Sequence, residues 1–121
     1  MMTGKVALVT GAGQGVGEGI ALALASEGAV VAVTGRTIEK LDRTCALIAE
    51  RGGVAIPLAC DVKQPADLAR IVEETATRLG GIDILVNNAQ EVPNGKLMDI
   101  TDEAFLAGFE SGPLATHRLM R

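Results

Sequence analysis

The chain has 121 residues, of which 48% are hydrophobic and only 2% aromatic, and its net charge is −4. This length predicts one domain, residues 1–121, and the acidic balance argues against a nucleic acid partner. No apolar run approaches the roughly 18 residues of a membrane span, and the N-terminus lacks the pattern of a secretory leader. We therefore expect a cytoplasmic protein with no membrane partner.

The first predicted elements are a strand over Val6–Val9 and a helix from Gly15 to Gly28, joined by a turn rich in glycine. Glycines let a chain that leaves a buried strand turn sharply and bring its backbone N–H groups close to a pyrophosphate. The helix would present its positive N-terminus to the phosphates. The pattern G-x-G-x-x-G is absent, whereas Thr10-Gly11-x-x-x-Gly15-x-Gly17 is present.

This arrangement of strand, glycines and helix predicts a dinucleotide site. A flexible loop without a ligand is the alternative. The residues of the turn that we expect to contact the cofactor are Gly11, Gly13, Gln14, Gly15, Val16 and Gly17.

The next predicted elements are a strand over Ala29–Thr34 and a helix that begins after Thr37, whose side chain is expected to cap it. A third strand follows over Val54–Cys60, and Pro57 within it indicates an edge position, where a missing N–H does little harm. The apolar stripe predicted for the second helix consists of Ile38, Leu41, Cys45 and Ile48.

A third helix is predicted from Pro65, and a fourth strand over Asp83–Asn87. A loop over Gln90–Ile100 leads to a last helix that begins at Thr101 and is kinked at Pro113. Alternating strands and helices with short connections predict an α/β fold, a doubly wound parallel sheet with strand order 3-2-1-4. The ligand crevice of such a sheet lies beyond the carboxyl ends of strands one and four.

The end of the second strand determines which dinucleotide fits. An acid there bonds the ribose 2′-hydroxyl of NAD, whereas an arginine accommodates the 2′-phosphate of NADP. Arg36 and Thr37 stand at this point and no acid does, so we predict NADP as cofactor, with NAD less favoured, and contacts from both residues. The alternative for Arg36 is a solvated surface side chain.

Two further strand ends carry candidate contacts. Asp61 could bond the adenine amine while Val62 packs on the ring, although Asp61 could equally be a turn residue ahead of a helix. The amides of Asn87 and Asn88 could tie strand ends together or hold the nicotinamide ribose. From these segments we expect cofactor contacts by Asp61, Val62, Asn87 and Ala89.

Neither cysteine has redox or metal-ligand spacing, and the chain has a single histidine. We therefore expect Cys45 and Cys60 to be reduced packing residues, and we expect no metal site.

These residues resemble the classical short-chain dehydrogenase/reductase family. Thr10-Gly11-x-x-x-Gly15-x-Gly17 is similar to its cofactor motif, Asp61 to its adenine-site acid, and Asn87-Asn88-Ala89 to three of the four residues of its Asn-Asn-Ala-Gly motif. The resemblance spans the whole chain. It implies a Rossmann-fold, NAD(P)(H)-dependent oxidoreductase that acts on alcohols or carbonyls, commonly as a dimer or tetramer.

The chain departs from the family pattern at Gln90, where the family has glycine, and at Gly112, beside Ser111, where its fourth helix carries an asparagine that supports a proton relay. In the family a serine and a Tyr-x-x-x-Lys helix follow beyond the position of Arg121, and this sequence has no tyrosine.

We therefore expect a cofactor-binding domain that is incomplete at its C-terminus and does not turn over alone. Its open sheet edge would be covered in a homo-oligomer or by a completing chain. The alternatives are a non-catalytic nucleotide-binding or assembly module, or half of a split enzyme.

Overall fold

The computed structural model describes residues 2–88, 103, 106 and 114–120. Within them, strands and helices alternate along the chain, as the sequence pattern predicts. The elements are β1 (Val6–Val9), α1 (Gly15–Ser26), β2 (Val30–Gly35), α2 (Ile38–Glu50), β3 (Val54–Ala59), α3 (Pro65–Leu79), β4 (Ile84–Val86) and α4 (Ala115–Met120).

The four described strands form one parallel sheet in the order β3-β2-β1-β4, which confirms the predicted topology. Val9 of β1 pairs with Val33 of β2 and Val86 of β4, so the carboxyl ends of these strands lie nearly level. Pro57 lies on the outer strand β3 opposite Val33, and its predicted edge position is also confirmed.

Helices cover both faces of the sheet. Side chains alternate between the two faces along every strand, so each face contributes its own apolar cluster. On one face, Val9 and Val33 pack with Ala21 of α1 and Leu41 of α2. On the other, Leu8 and Ala32 belong to a second cluster with Leu68 and Ile71 of α3 and Ala115 of α4. This two-sided burial explains why β1 is an uninterrupted apolar run.

Helix α2 differs from its prediction in three details. Thr37 occupies the N-cap position with extended backbone, but its side chain makes no cap hydrogen bond; its carbonyl oxygen accepts from the amide of Leu41 at 3.2 Å. Ile38, predicted to begin the apolar stripe, is 40% exposed, and Leu41 is the first buried residue of the helix. Thr44 is fully buried on the stripe that faces the sheet.

Other boundaries shift by one or two residues, as is usual at element ends. Helix α3 begins at Pro65 as predicted and ends at Leu79, and Gly80 caps it with a left-handed φ of 89°. No helix among the described residues is long and apolar enough to cross a bilayer. The predicted loop over 90–100 and the predicted kink at Pro113 lie outside the described residues, as do Ser111 and Gly112.

Candidate functional site

A groove of about 340 Å³ lies beyond the carboxyl ends of β1, β2 and β3, within the size range of small-ligand sites. The crevice was predicted beyond the ends of strands one and four; the groove does lie at this edge of the sheet, but it extends toward β2 and β3 and reaches the end of β4 only through Asn88. Of the residues predicted to contact a cofactor, those that line the groove are Gly11, Gly13, Gln14, Gly15, Arg36, Thr37, Asp61 and Val62.

The groove is also lined by residues that were not predicted to contact a cofactor, namely Gly35, Lys40, Leu41, Cys60 and Asn88. Three predicted contacts are not among its lining residues as described. Val16 is 74% exposed at the start of α1, Gly17 is buried, and Asn87 is exposed, whereas Ala89 lies outside the described residues.

The turn after β1 requires glycine at two positions for conformational reasons. Gly11 and Gly15 have φ values of 64° and 58°, which side chains with a Cβ rarely adopt. A Cβ on Gly15 would meet no atom within 4 Å, so the space in front of this residue is open. A ligand can therefore approach the backbone at the mouth of the turn.

Helix α1 begins at this turn with its first amides available. Gln14 occupies the N-cap position without a side-chain cap hydrogen bond, and the amide of Glu18 donates to the carbonyl oxygen of Gln14 at 3.3 Å. The amides of Gly15, Val16 and Gly17 precede that bond and have no partner within the helix. A helix start of this kind favours an anion through its N–H groups and its dipole.

Gly17 has a packing function at this helix start. A Cβ there would lie 2.1 Å from the Gly11 oxygen and 2.5 Å from Nδ2 of Asn88, which is closer than any real contact. The missing side chain lets α1 start directly against the turn.

Asn88 and Thr10 fasten the turn to the end of β4. Nδ2 of Asn88 donates to the Gly11 oxygen at 3.2 Å, and the Asn88 amide donates to Oγ1 of Thr10 at 3.0 Å. The Thr10 amide donates to the Val86 oxygen at 3.1 Å. Of the two roles left open for the asparagines, Asn88 thus performs the structural one. The contact between Asn87 and a nicotinamide ribose stays a prediction.

Two basic side chains stand on the wall of the groove that follows β2. Arg36 lines this wall, and Nζ of Lys40, from the first turn of α2, donates to Oε1 of Gln14 at 2.5 Å. Lys40 was not predicted as a contact because it lies beyond the end of β2, the point at which NAD and NADP binding are distinguished. Its position four residues after Arg36, at the start of a predicted helix, was the available signal.

The wall that follows β3 carries Asp61 in a hydrogen-bonded turn. Its Oδ1 accepts from the amide of Lys63 at 3.0 Å, and its own amide donates to Oδ2 of Asp67 at 2.9 Å. The turn role left open for Asp61 is therefore observed, while the adenine contact stays a prediction. Val62 is 8% exposed beside it.

Both cysteines are free. Burial, with a smaller effect from the Asp67 carboxylate, raises the pKa of Cys60 to about 12. Burial and Asp42 raise the pKa of Cys45 to about 11. A thiol reacts as its thiolate, so neither side chain is a nucleophile near neutral pH. Among the residues that the structure describes, no group of three or more His, Cys, Asp or Glu side chains could hold a metal ion.

Comparison with known proteins identifies relatives of this chain. The short chain dehydrogenase family model matches residues 5–117. Versicolorin reductase 1 of Aspergillus parasiticus is 41% identical over 105 residues, which cover 86% of this chain and 40% of that protein. The chain spans about 40% of the length of the curated relatives that it matches.

Comparison with solved structures also finds reductases that are similar to this chain. L-sorbose reductase of Gluconobacter frateurii, solved with NADPH and L-sorbose, is 35% identical with a TM-score of 0.92, and the match covers 99% of this chain and 46% of that one. An actinorhodin polyketide ketoreductase variant, solved with NADPH, is also 35% identical with a TM-score of 0.92, covering 99% and 47%. The sheet, the glycine turn and the family match agree: this chain belongs to the short-chain dehydrogenase family.

Proposed function

We propose that this chain binds a nicotinamide dinucleotide, with NADP(H) preferred over NAD(H), as the cofactor-binding part of an oxidoreductase. When bound, the cofactor supplies a hydride for exchange with an alcohol or carbonyl substrate. The observation that carries the preference is the placement of Arg36 and Lys40 on one wall of the groove, beside the glycine turn. NADPH is the dinucleotide named for the related L-sorbose reductase and polyketide ketoreductase structures.

The residues present fit the phosphates of this cofactor. The uncapped start of α1 and the open space at Gly15 suit a pyrophosphate. The guanidinium of Arg36 has the planar geometry that pairs with a phosphate through two hydrogen bonds. One such charged contact contributes about 1.5–3 kcal/mol, which corresponds to a roughly ten- to hundredfold preference for NADP(H).

Further contacts belong to the same proposal. Asp61 and Val62 would hold the adenine, supported by their position on the wall of the groove that follows β3. Asn87 would hold the nicotinamide ribose, since it directly follows β4 at the same edge of the sheet, and Ala89 would also contact the cofactor. Val16, exposed at the mouth of the turn, would contact the cofactor beyond the groove.

The 121-residue chain alone should bind without turnover, because general acid–base catalysis needs a suitable group within hydrogen-bonding reach of the substrate oxygen. The family's usual acid is a tyrosine, and this sequence contains none. Residues 1–121 are accordingly proposed to act as one cofactor domain within a homo-oligomer or together with a completing chain. The edge position of β4 in the described sheet supports such an assembly. A cytoplasmic location stays a prediction of the sequence.

Titration with NADPH and NADH, read by nicotinamide fluorescence, tests the proposal. The chain has no Trp or Tyr, so the protein background is small. We expect saturable binding with a dissociation constant for NADPH roughly ten- to a hundredfold below that for NADH. Folded chain that gives no signal with either nucleotide would refute the binding function. Turnover of carbonyl substrates by the chain alone would refute the assignment of catalysis to other residues.

A further inference from the structure

Helix α2 is joined to the turn after β1 by three side chains that lie behind the groove. Oγ1 of Thr44 lies 3.1 Å from the Ala12 oxygen and 2.9 Å from Oε2 of Glu18. Nη2 of Arg43 lies 3.2 Å from the same Glu18 oxygen and 3.4 Å from the Gly13 oxygen. We call Thr44, Glu18 and Arg43 the clamp. None of these three residues lines the groove.

Thr44 places a hydroxyl group at a position of α2 where an apolar side chain is expected. The residue is fully buried between Leu41 and Ile48 on the face of α2 that packs on the sheet. Valine would fill the same space without a polar group that must find a partner. The bond from Oγ1 to the Lys40 oxygen at 3.2 Å is common for threonine within helices. A hydroxyl has one hydrogen to donate, and the nearest of the three acceptors is the Glu18 carboxylate, a bond that this habit does not explain and that connects α2 to α1.

The turn itself has other anchors. The Ala12 amide donates to the Thr34 oxygen at 2.9 Å, and Asn88 and Thr10 connect the turn to β4. Besides the buried Leu41, the start of α2 is held by the clamp and by the hydrogen bond from Lys40 to Gln14. Loosening the clamp should therefore displace the start of α2 and leave the turn in place.

This difference matters because the two walls would bind different parts of a dinucleotide. The glycine turn would face the pyrophosphate, which NAD and NADP share, whereas Arg36 and Lys40 would face the 2′-phosphate that only NADP carries. We propose that Thr44 and Glu18 are positioning residues for cofactor preference: they hold the start of α2 so that Lys40 within it and Arg36 just before it reach the 2′-phosphate. The inference rests on the proposed function.

The test compares Thr44→Val, which removes the hydroxyl and keeps the shape, with Thr44→Ser, which keeps the hydroxyl. Dissociation constants for NADPH and NADH are measured on the 121-residue chain by nicotinamide fluorescence. For Thr44→Val we expect the NADPH constant to rise about fivefold, the effect of one lost hydrogen bond, with the NADH constant changed less than about twofold. Thr44→Ser should retain the wild-type preference.

Glu18→Gln provides an independent variant should Thr44→Val fail to fold. It keeps an acceptor for Thr44 and removes the charge that pairs with Arg43, so we expect a smaller loss of preference in the same direction. The readout is the ratio of the two dissociation constants, because a general change of charge near the pyrophosphate would affect both nucleotides alike.

A clamp that only supports the fold and a chain that binds no nucleotide would give different results. If the wild-type chain prefers NADPH but the variants weaken both nucleotides equally, or if Thr44→Ser behaves like Thr44→Val, the clamp only supports the fold and the inference is wrong. If the wild-type chain binds neither nucleotide, the proposed function is wrong and the inference falls with it.

Discussion

Replacing Gly17 by alanine tests how closely α1 must approach the turn after β1. The added Cβ would lie 2.1 Å from the Gly11 oxygen, 2.8 Å from the Gly11 carbonyl carbon and 2.5 Å from Nδ2 of Asn88. Two of these atoms belong to the backbone and cannot rotate away. A carbon normally stays about 3.3 Å from a carbonyl oxygen, so the start of α1 or the turn must move by roughly 1 Å.

That movement has a cost that can be compared with ordinary overpacking. Inserting a methyl group into a packed site destabilises a protein by about 1–3 kcal/mol, sometimes more. Alanine recovers at most about 1 kcal/mol through its better helix propensity. Because the clash is with backbone atoms, its cost should lie near the upper end of that range, so we expect Gly17→Ala to lose a net of about 2 kcal/mol of unfolding free energy, to lower Tm by several degrees and to weaken NADPH binding.

Gly19→Ala is the matched control, because it lies in the same helix and its added Cβ would meet no atom within 4 Å. This variant should be as stable as the wild type or more stable by up to about 1 kcal/mol. Urea unfolding followed by circular dichroism measures both variants. Equal stability of Gly17→Ala and Gly19→Ala would refute the packing argument.

Three more outcomes are expected. Arg36→Asp should shift the preference of the chain toward NADH, and unchanged relative affinities for NADPH and NADH in fluorescence titrations would remove the assignment. Asn88→Ala should lower the unfolding free energy by about 1 kcal/mol, because the Gly11 oxygen loses its donor, and chemical denaturation would detect this. Because Cys60 has its pKa raised from 9.0 to about 12, its neutral form contributes stability that is complete below pH 9 and is lost between pH 9 and 12. Iodoacetamide at pH 8 should accordingly label Cys60 much more slowly in the folded chain than in urea. Equal labelling rates of Cys60 in the two states would contradict the burial of its thiol.

The strand order and the position of the groove were predictable because they depend on local patterns. Each of these patterns indicates the secondary structure of its own segment: a strand for the apolar run Val6–Val9, a turn for the glycines after it, and a helix start for Pro65. Handedness and connection rules then leave few arrangements of four parallel strands. Pro57 indicated the edge for the same reason, since a missing N–H is a property of one residue.

Contacts between distant segments were harder to predict. The structural role of Asn88 depends on its hydrogen bond to Gly11, 77 positions away, and no local sequence pattern indicates that bond. Thr44 interrupts the apolar stripe of α2, so the pattern did not mark it as buried, although a partner 26 positions away satisfies its hydroxyl. Sequence periodicity predicts which face of an element is apolar, but it does not predict which polar groups find each other across the fold.

The uncapped start of α1 has a thermodynamic consequence. Because the helix supplies no side-chain cap of its own at Gln14, an anion bound there would complete the first turn. Ligand occupancy and unfolding are then linked, and a ligand at a hundred times its dissociation constant would stabilise the chain by about 2.7 kcal/mol. Hydrogen exchange at Gly15, Val16 and Gly17 would slow on binding. The exchange rates of these amides would thus report whether the nucleotide is bound.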